Sequence, residues 1–144
     1  MYTIEADSVI TGDLTEVWAI TSDVAGWPSW DPHEQDARLD GPFAAGSIGW
    51  SKPRSGPGTE WTITEVEPEH RWSSECRLPG GMMRGTSTFT AAGSGQIRCH
   101  KLITITGPLV PLFALYFGRR IRADLTLTWS ALEQEIARRR LAAA

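Results

Sequence analysis

The sequence has 144 residues, of which 41% are hydrophobic and 22% charged, values typical of a soluble globular protein and not of a disordered chain. Its net charge of −3 gives no overall attraction to nucleic acid, so we expect no nucleic-acid partner. The first residues lack the regions of a signal peptide, and no apolar run is long enough to cross a bilayer. We therefore expect a cytoplasmic protein in which residues 1–144 form a single domain.

The N-terminal part of the chain predicts one strand followed by two short helices. Tyr2–Ile10 alternates apolar with polar side chains, as a half-buried strand does. Leu14–Ser22 follows an aspartate suited to the N-cap and carries apolar residues at helical spacing. Pro28 and Pro32 are placed to begin and to end a second short helix.

Turn sequences rich in glycine and proline divide the middle of the chain into six strands, which indicates an antiparallel meander. The predicted strands are His33–Leu39, Ser47–Lys52, Glu60–Val66, Arg71–Leu78, Met82–Ala91 and Gln96–Thr106. Because alternate side chains of a strand face opposite sides of a sheet, one set should face the core. That set comprises Trp61, Ile63, Trp72, Ser74, Cys76, Leu78, Met83, Gly85, Ser87, Phe89, Ile97, Cys99, Ile103 and Ile105.

The last third of the chain, from Pro108 to Arg140, predicts one long amphipathic helix. Its apolar stripe comprises Phe117, Ile121, Leu125, Trp129, Leu132 and Ile136. The first turns are apolar around nearly the whole circumference, with Leu112, Phe113, Leu115 and Tyr116. Such a surface needs apolar neighbours on more than one side, so we expect the sheet to wrap around this helix.

Short motifs along the whole chain match a known family. They are Glu16-Val17-Trp18, Asp23-Val24, Trp27-Pro28-Ser29-Trp30-Asp31-Pro32, Gly46, Gly49, Thr64-Glu65-Val66-Glu67-Pro68 and Thr106-Gly107-Pro108-Leu109. With this order of elements, the chain resembles the START-like or SRPBCC superfamily, and within it the group described as polyketide cyclase/dehydrase and lipid transport. The resemblance implies an α+β helix-grip fold, in which a curved seven-stranded antiparallel sheet surrounds the long C-terminal helix, with two short helices after the first strand.

The resemblance also implies a cavity between the sheet and the C-terminal helix, and a concave apolar space of this kind is the usual form of a small-molecule site. We therefore expect the protein to bind a hydrophobic or aromatic small molecule, lipid-like or polyketide-like. The expected ligand-binding residues are Trp30, Trp61, Trp72, Ser74, Met83, Ser87, Phe89, Cys99, Phe113, Phe117, Ile121 and Leu125. Asp31, His33 and Lys101 are further polar groups that could orient a ligand, although the pattern does not fix which way they face.

Two other functions stay open at this point. An enzyme of the cyclase/aromatase or dehydratase type would need at least two polar side chains that converge on one point of the cavity. The candidates for that role are Asp31, His33, Tyr116, Arg120 and Asp124. A co-chaperone-like or toxin-partner protein, which the superfamily also contains, would use its outer surface instead.

No cofactor is predicted. The histidines His33, His70 and His100 are scattered without a metal-binding spacing, and neither a nucleophile motif nor a phosphate loop is present. The strand order implied by the resemblance separates Cys76 from Cys99 by one strand, too far for a disulfide.

A basic cluster, Arg119, Arg120 and Arg122, directly follows the apolar start of the last helix. An apolar patch bordered by arginines could mark a cavity mouth that docks an anionic membrane or a carrier. It could equally form a dimer interface, so monomer and homodimer both stay open.

Overall fold

The structure, a computed structural model, describes residues 1–116 and 118–144. The strands are β1 (Tyr2–Thr11), β2 (Glu34–Asp40), β3 (Ile48–Pro53), β4 (Thr59–Glu67), β5 (Arg71–Leu78), β6 (Gly81–Ala91) and β7 (Gln96–Thr106). The helices are α1 (Leu14–Thr21), a 3₁₀ helix (Val24–Ser29), α2 (Val110–Tyr116) and α3 (Gly118–Ala143).

The seven strands form one antiparallel sheet with the order β1-β7-β6-β5-β4-β3-β2. Only β1 leaves the sequential order, because it pairs with β7 along its whole length, from Tyr2 with Ile105 to Thr11 with Gln96. The predicted helix-grip fold is confirmed. The bounds of β5 and β7 are as predicted, and the other strands differ by one residue at one or both ends.

The connection from β1 to β2 differs from the prediction in its second helix. α1 begins as expected, with a capping box in which Asp13 accepts a hydrogen bond from the Glu16 backbone and the Glu16 side chain accepts one from the Asp13 backbone. The 3₁₀ helix, however, begins at Val24, and Pro28 lies inside it instead of at its start. A short 3₁₀ helix has few internal hydrogen bonds, so it tolerates a proline that periodic α-helical reasoning would place at the first turn.

The C-terminal segment is helical on both sides of residue 117, from Val110 to Tyr116 and from Gly118 to Ala143, in agreement with the predicted long C-terminal helix. At Gly118 the absence of a side chain lets the helix lie directly against the Tyr2 ring of β1. Within the described residues, no helix is long and apolar enough to span a bilayer.

Two apolar clusters hold the helices on the sheet. The larger one joins α1 and α3 to the sheet through fully buried side chains such as Val17, Ile97 and Ile136. The smaller one, Ile4, Ile103 and Ile105, packs against partly buried residues of α2 and the start of α3. Burial of each large aliphatic side chain contributes about 1.5–3 kcal/mol, so both clusters fix the helices firmly. Between the two clusters, a space separates the sheet from the helices.

Candidate ligand cavity

A cavity of about 600 Å³ lies between the sheet and the helices α2 and α3. Strands β2 to β7 supply one wall, and the residues around the 3₁₀ helix and the two C-terminal helices supply the other. The inward-facing positions of β5 and β6 line it as the alternation predicted, including Ser74 and Ser87.

Ten of the twelve predicted ligand-binding residues line this cavity: Trp30, Trp61, Trp72, Ser74, Met83, Ser87, Phe89, Phe113, Ile121 and Leu125. Cys99 does not, because its side chain is 0% exposed and packs in the larger apolar cluster, where α3 lies directly on the sheet. The twelfth residue, Phe117, lies outside the described residues. The structure shows only that the ten residues line the cavity, and ligand binding by their side chains stays a prediction.

Three indole rings form an aromatic surface in the cavity wall. Trp27 stacks on Trp61 with 5.7 Å between ring centroids and an interplanar angle of 14°. The Trp72 ring lies 6.0 Å from the Trp27 ring and 6.1 Å from the Trp61 ring. The Trp61 Nε1–H donates to Ser51 Oγ (3.2 Å) and the Trp27 Nε1–H to the Thr21 carbonyl (2.9 Å), whereas the buried Trp72 Nε1 has no partner among the described residues. The stacked rings are therefore held at fixed angles.

Sequence reasoning missed Trp27 as a lining residue. Trp27 lies in the short 3₁₀ helix, where neither strand nor α-helical periodicity predicts the direction of its side chain. The signal that pointed to this region was the Trp27-to-Pro32 motif itself, which indicated the family but not which ring faces the cavity.

On the sheet side, Lys101 extends into the cavity from β7. Its Nζ donates to Ser87 Oγ (2.9 Å) on the neighbouring strand and lies 5.2 Å from the centroid of the Trp72 ring. Burial among these apolar neighbours lowers the pKa of the Lys101 ammonium to about 8. Lys101 continues the inward alternation of Cys99 and Ile103 on β7, and the structure places its side chain in the cavity wall.

On the opposite side, acidic and hydroxyl groups gather where the 3₁₀ helix approaches α3. Asp31 Oδ1 accepts a hydrogen bond from the His33 backbone (2.9 Å) and one from Thr128 Oγ1 (3.5 Å). The His33 ring Nε2 lies 3.0 Å from the backbone carbonyl oxygen of Asp124, which can only accept, so this contact is an Nε2–H···O=C hydrogen bond. Burial raises the pKa of Asp31 above its usual range. Asp31, His33 and Asp124, which the sequence had offered as polar groups, thus share one part of the wall.

Glu34 belongs to the same region and was not predicted. A β-bulge between Glu34 and Asp36 shifts the register of β2 against β3, so the simple alternation of inward and outward residues fails at this end of the strand. Glu34 lines the cavity, and its buried Oε2 has no hydrogen-bond partner in the part of the chain that the structure describes. Burial, assisted by the charge of Asp31, raises the pKa of the Glu34 carboxyl to about 7.

The apolar segment at the C-terminal helices has an inner and an outer side. Phe113 lines the cavity, whereas Leu112 and Leu115 are 48% and 77% exposed. Arg120 donates to Ser55 Oγ (3.1 Å) and thereby ties α3 to the turn between β3 and β4. Contact of this surface with an anionic membrane, a carrier or a second copy of the chain stays a prediction.

The potential metal ligands and the two cysteines stand apart in the described parts of the chain. No three side chains of His, Cys, Asp or Glu converge as metal ligands among residues 1–116 and 118–144. Cys76 and Cys99 are both free, in agreement with the separation expected from the strand order. Burial raises the pKa of both thiols, that of Cys99 to about 12, so they are poor nucleophiles.

The sequence matches the family model described as polyketide cyclase/dehydrase and lipid transport over residues 1–137. None of the curated proteins is a significant match to the sequence.

Solved structures share the fold at low sequence identity. Norcoclaurine synthase from Thalictrum flavum, solved in complex with dopamine and hydroxybenzaldehyde, has a TM-score of 0.74 at 11% identity, over 95% of this chain and 87% of that one. A START superfamily protein from Mycobacterium smegmatis has a TM-score of 0.74 at 9% identity, over 96% and 99% of the two chains. A protein from Thermus thermophilus has a TM-score of 0.75 at 15% identity, over 99% of both.

Proposed function

Because the chain belongs to the polyketide cyclase/dehydrase and lipid transport family, we propose that it binds a hydrophobic or aromatic small molecule between its sheet and its C-terminal helices. The observation that carries this proposal is the surface of three indole rings, Trp27, Trp61 and Trp72, in the wall of a cavity of about 600 Å³. Small-molecule sites typically occupy about 300–1,000 Å³ and bury most of the ligand surface.

The chemistry of the wall favours a flat, largely apolar ligand. Aromatic rings gain roughly 0.5–1.5 kcal/mol from an offset or edge-on arrangement beyond the burial of their area. The fixed indoles offer such faces without a loss of side-chain freedom on binding. The norcoclaurine synthase of similar fold was solved with the aromatic molecules dopamine and hydroxybenzaldehyde, which supports a ligand of this general shape.

The binding test begins with native mass spectrometry of the protein purified from its own host, followed by extraction and identification of any bound molecule. Binding of the neutral fluorescent probe N-phenyl-1-naphthylamine is then measured in parallel. Ser74→Phe places a ring in the cavity and should abolish binding, while Thr90→Phe adds the same ring on the exposed face of β6 and should not. An empty protein that also fails to bind the probe would refute the proposal.

A cyclase/aromatase-type or dehydratase-type enzyme is the second candidate, and the polar groups of the cavity favour it specifically. Asp31, His33 and Asp124 share one wall with Glu34, whose pKa of about 7 suits proton transfer at neutral pH. Such an enzyme would work without a metal or a nucleotide. Incubation of the extracted ligand, or of a synthetic poly-β-ketone, with the protein should yield a product lighter by one water, and Glu34→Gln should slow its formation. An unchanged rate in Glu34→Gln would exclude this glutamate as the proton-transfer group.

A protein that acts only through its outer surface, the third candidate, has the weakest support. That function would allow the cavity to be collapsed, whereas the described residues enclose an open volume.

A further inference from the structure

Lys101 is a cation in the cavity wall for which the described residues supply no acidic partner. Within residues 1–116 and 118–144, the ion pairs join other side chains, and no carboxylate forms an ion pair with Lys101. Its polar contact is the hydroxyl of Ser87, and the Trp72 ring lies beside it. A buried charge that lacks a counter-charge is expensive, so proteins rarely keep one without a use.

The ammonium also has unused hydrogen-bonding capacity. A lysine carries three N–H donors, and the bond to Ser87 Oγ occupies one of them. The neighbouring position on β6 is Gly85, where a Cβ would lie 3.3 Å from Nζ and 3.2 Å from Cε. The glycine therefore leaves space beside the charged group that any larger residue would fill.

The acidic side chains of the cavity wall are separate from Lys101, so the wall has a basic and an acidic region. Asp31, Glu34 and Asp124 lie in the wall, with Asp31 held by His33 and Thr128, and Asp124 near Arg120. A negatively charged ligand group would be repelled by these carboxylates and attracted by the ammonium of β7. Lys101 lies on β7 and Glu34 on β2, two strands that are not neighbours in the sheet, so this charge pattern directs the acid group of a ligand toward β7.

We propose that the ligand of this cavity is an aromatic or hydrophobic carboxylate whose acid group pairs with Lys101 while its apolar body lies against the indoles of Trp72 and Trp61. The proposal rests on the function proposed above and narrows it to one chemical class. Burial lowers the pKa of Lys101 to about 8, so at pH 7 the side chain is still protonated by roughly ten to one. The carboxylate would supply a counter-charge and accept hydrogen bonds from the N–H groups of Lys101 that do not bond to Ser87.

The test compares 2-naphthoate with 2-naphthamide, its neutral analogue of nearly equal shape, by calorimetry at pH 7. The wild type should bind the acid at least about tenfold more tightly than the amide. Lys101→Met keeps roughly the length of the side chain without the charge. This variant should lose the preference for the acid and keep its affinity for the amide. Lys52→Met, which removes the sequence's other lysine, should keep the preference for the acid.

A second measurement on the wild-type chain avoids dependence on the folding of the variant. After reductive ¹³C-methylation, naphthoate should shift the NMR signal of Lys101 and raise its pKa by about one unit or more, with Lys52 as the internal reference. Equal affinity for acid and amide, a preference retained in Lys101→Met, or an unmoved Lys101 signal would overturn the proposal. Binding of N-phenyl-1-naphthylamine would then show that the cavity function survives. If this neutral probe fails as well, both proposals fall.

Discussion

Asp31 and Glu34 lie in the same wall of the cavity, and the charge of Asp31 adds to burial in raising the pKa of Glu34 to about 7. A carboxyl whose pKa is higher in the folded than in the unfolded chain stabilises the fold only while it is protonated. This contribution is complete below about pH 4.5 and is lost as the pH rises through about 7.

Replacement of Glu34 by glutamine should therefore stabilise the protein at neutral and alkaline pH. With allowance for partial exposure, we expect a gain of about 1–2 kcal/mol in the free energy of unfolding at pH 8 and almost none at pH 4. Urea unfolding at both pH values measures the difference. Glu60→Gln, at an exposed position of β4, should show no such pH dependence. An equal effect of Glu34→Gln at both pH values would show that charge is not its cause.

Lys101 should show the opposite dependence on pH. Because its pKa is lowered to about 8, the folded state binds fewer protons than the unfolded state between about pH 8 and 10.5, and stability rises across this range. Lys101→Met should be more stable than the wild type by about 1–3 kcal/mol at pH 7, and the advantage should shrink toward pH 10.5. Chemical unfolding along a pH series tests this, with Lys52→Met as the control. A gap that does not change with pH would contradict it.

Gly49 and Trp61 face each other on β3 and β4, and a Cβ at position 49 would overlap the indole ring of Trp61. Gly49→Ala should therefore displace this ring from its stack with Trp27 and destabilise the fold by about 1–3 kcal/mol. We expect a weaker near-ultraviolet circular dichroism signal together with the loss of stability. In Gly56→Ala the new Cβ would meet only Pro53 Cγ at 3.3 Å, so both readouts should be close to wild type. An unchanged tryptophan signal in Gly49→Ala would refute this packing.

Glu16 links the start of α1 to the end of α3. It completes the capping box of α1 with Asp13, and it accepts hydrogen bonds from Arg140 near the end of α3. Glu16→Ala removes both interactions and should lower the free energy of unfolding by about 1–2 kcal/mol, whereas Arg140→Ala removes only an exposed ion pair and should lower it by less. Thermal unfolding of both variants measures the difference. Equal losses would mean that the capping box contributes nothing.

Much of the fold could be predicted from the sequence. Turn chemistry separated the strands, and strict alternation fixed the side of the sheet on which residues such as Trp72, Ser74 and Ser87 lie. The alternation of side chains is reliable along β5 and β6 because these strands pair without a bulge. Successive side chains therefore point to opposite faces of the sheet. The predicted aromatic wall followed from this rule together with the family resemblance.

The rest of the site depends on contacts between residues distant in the sequence. The bulge in β2 brings Glu34 into the cavity, and the packing of the 3₁₀ helix on the sheet brings Trp27 onto Trp61. The sequence by itself determined the order of the elements and the inward face of the regular strands, because these follow from local periodicity. Only the tertiary structure decided that Lys101 meets a hydroxyl and, within the described chain, no carboxylate, because charge pairing depends on which strands and helices meet.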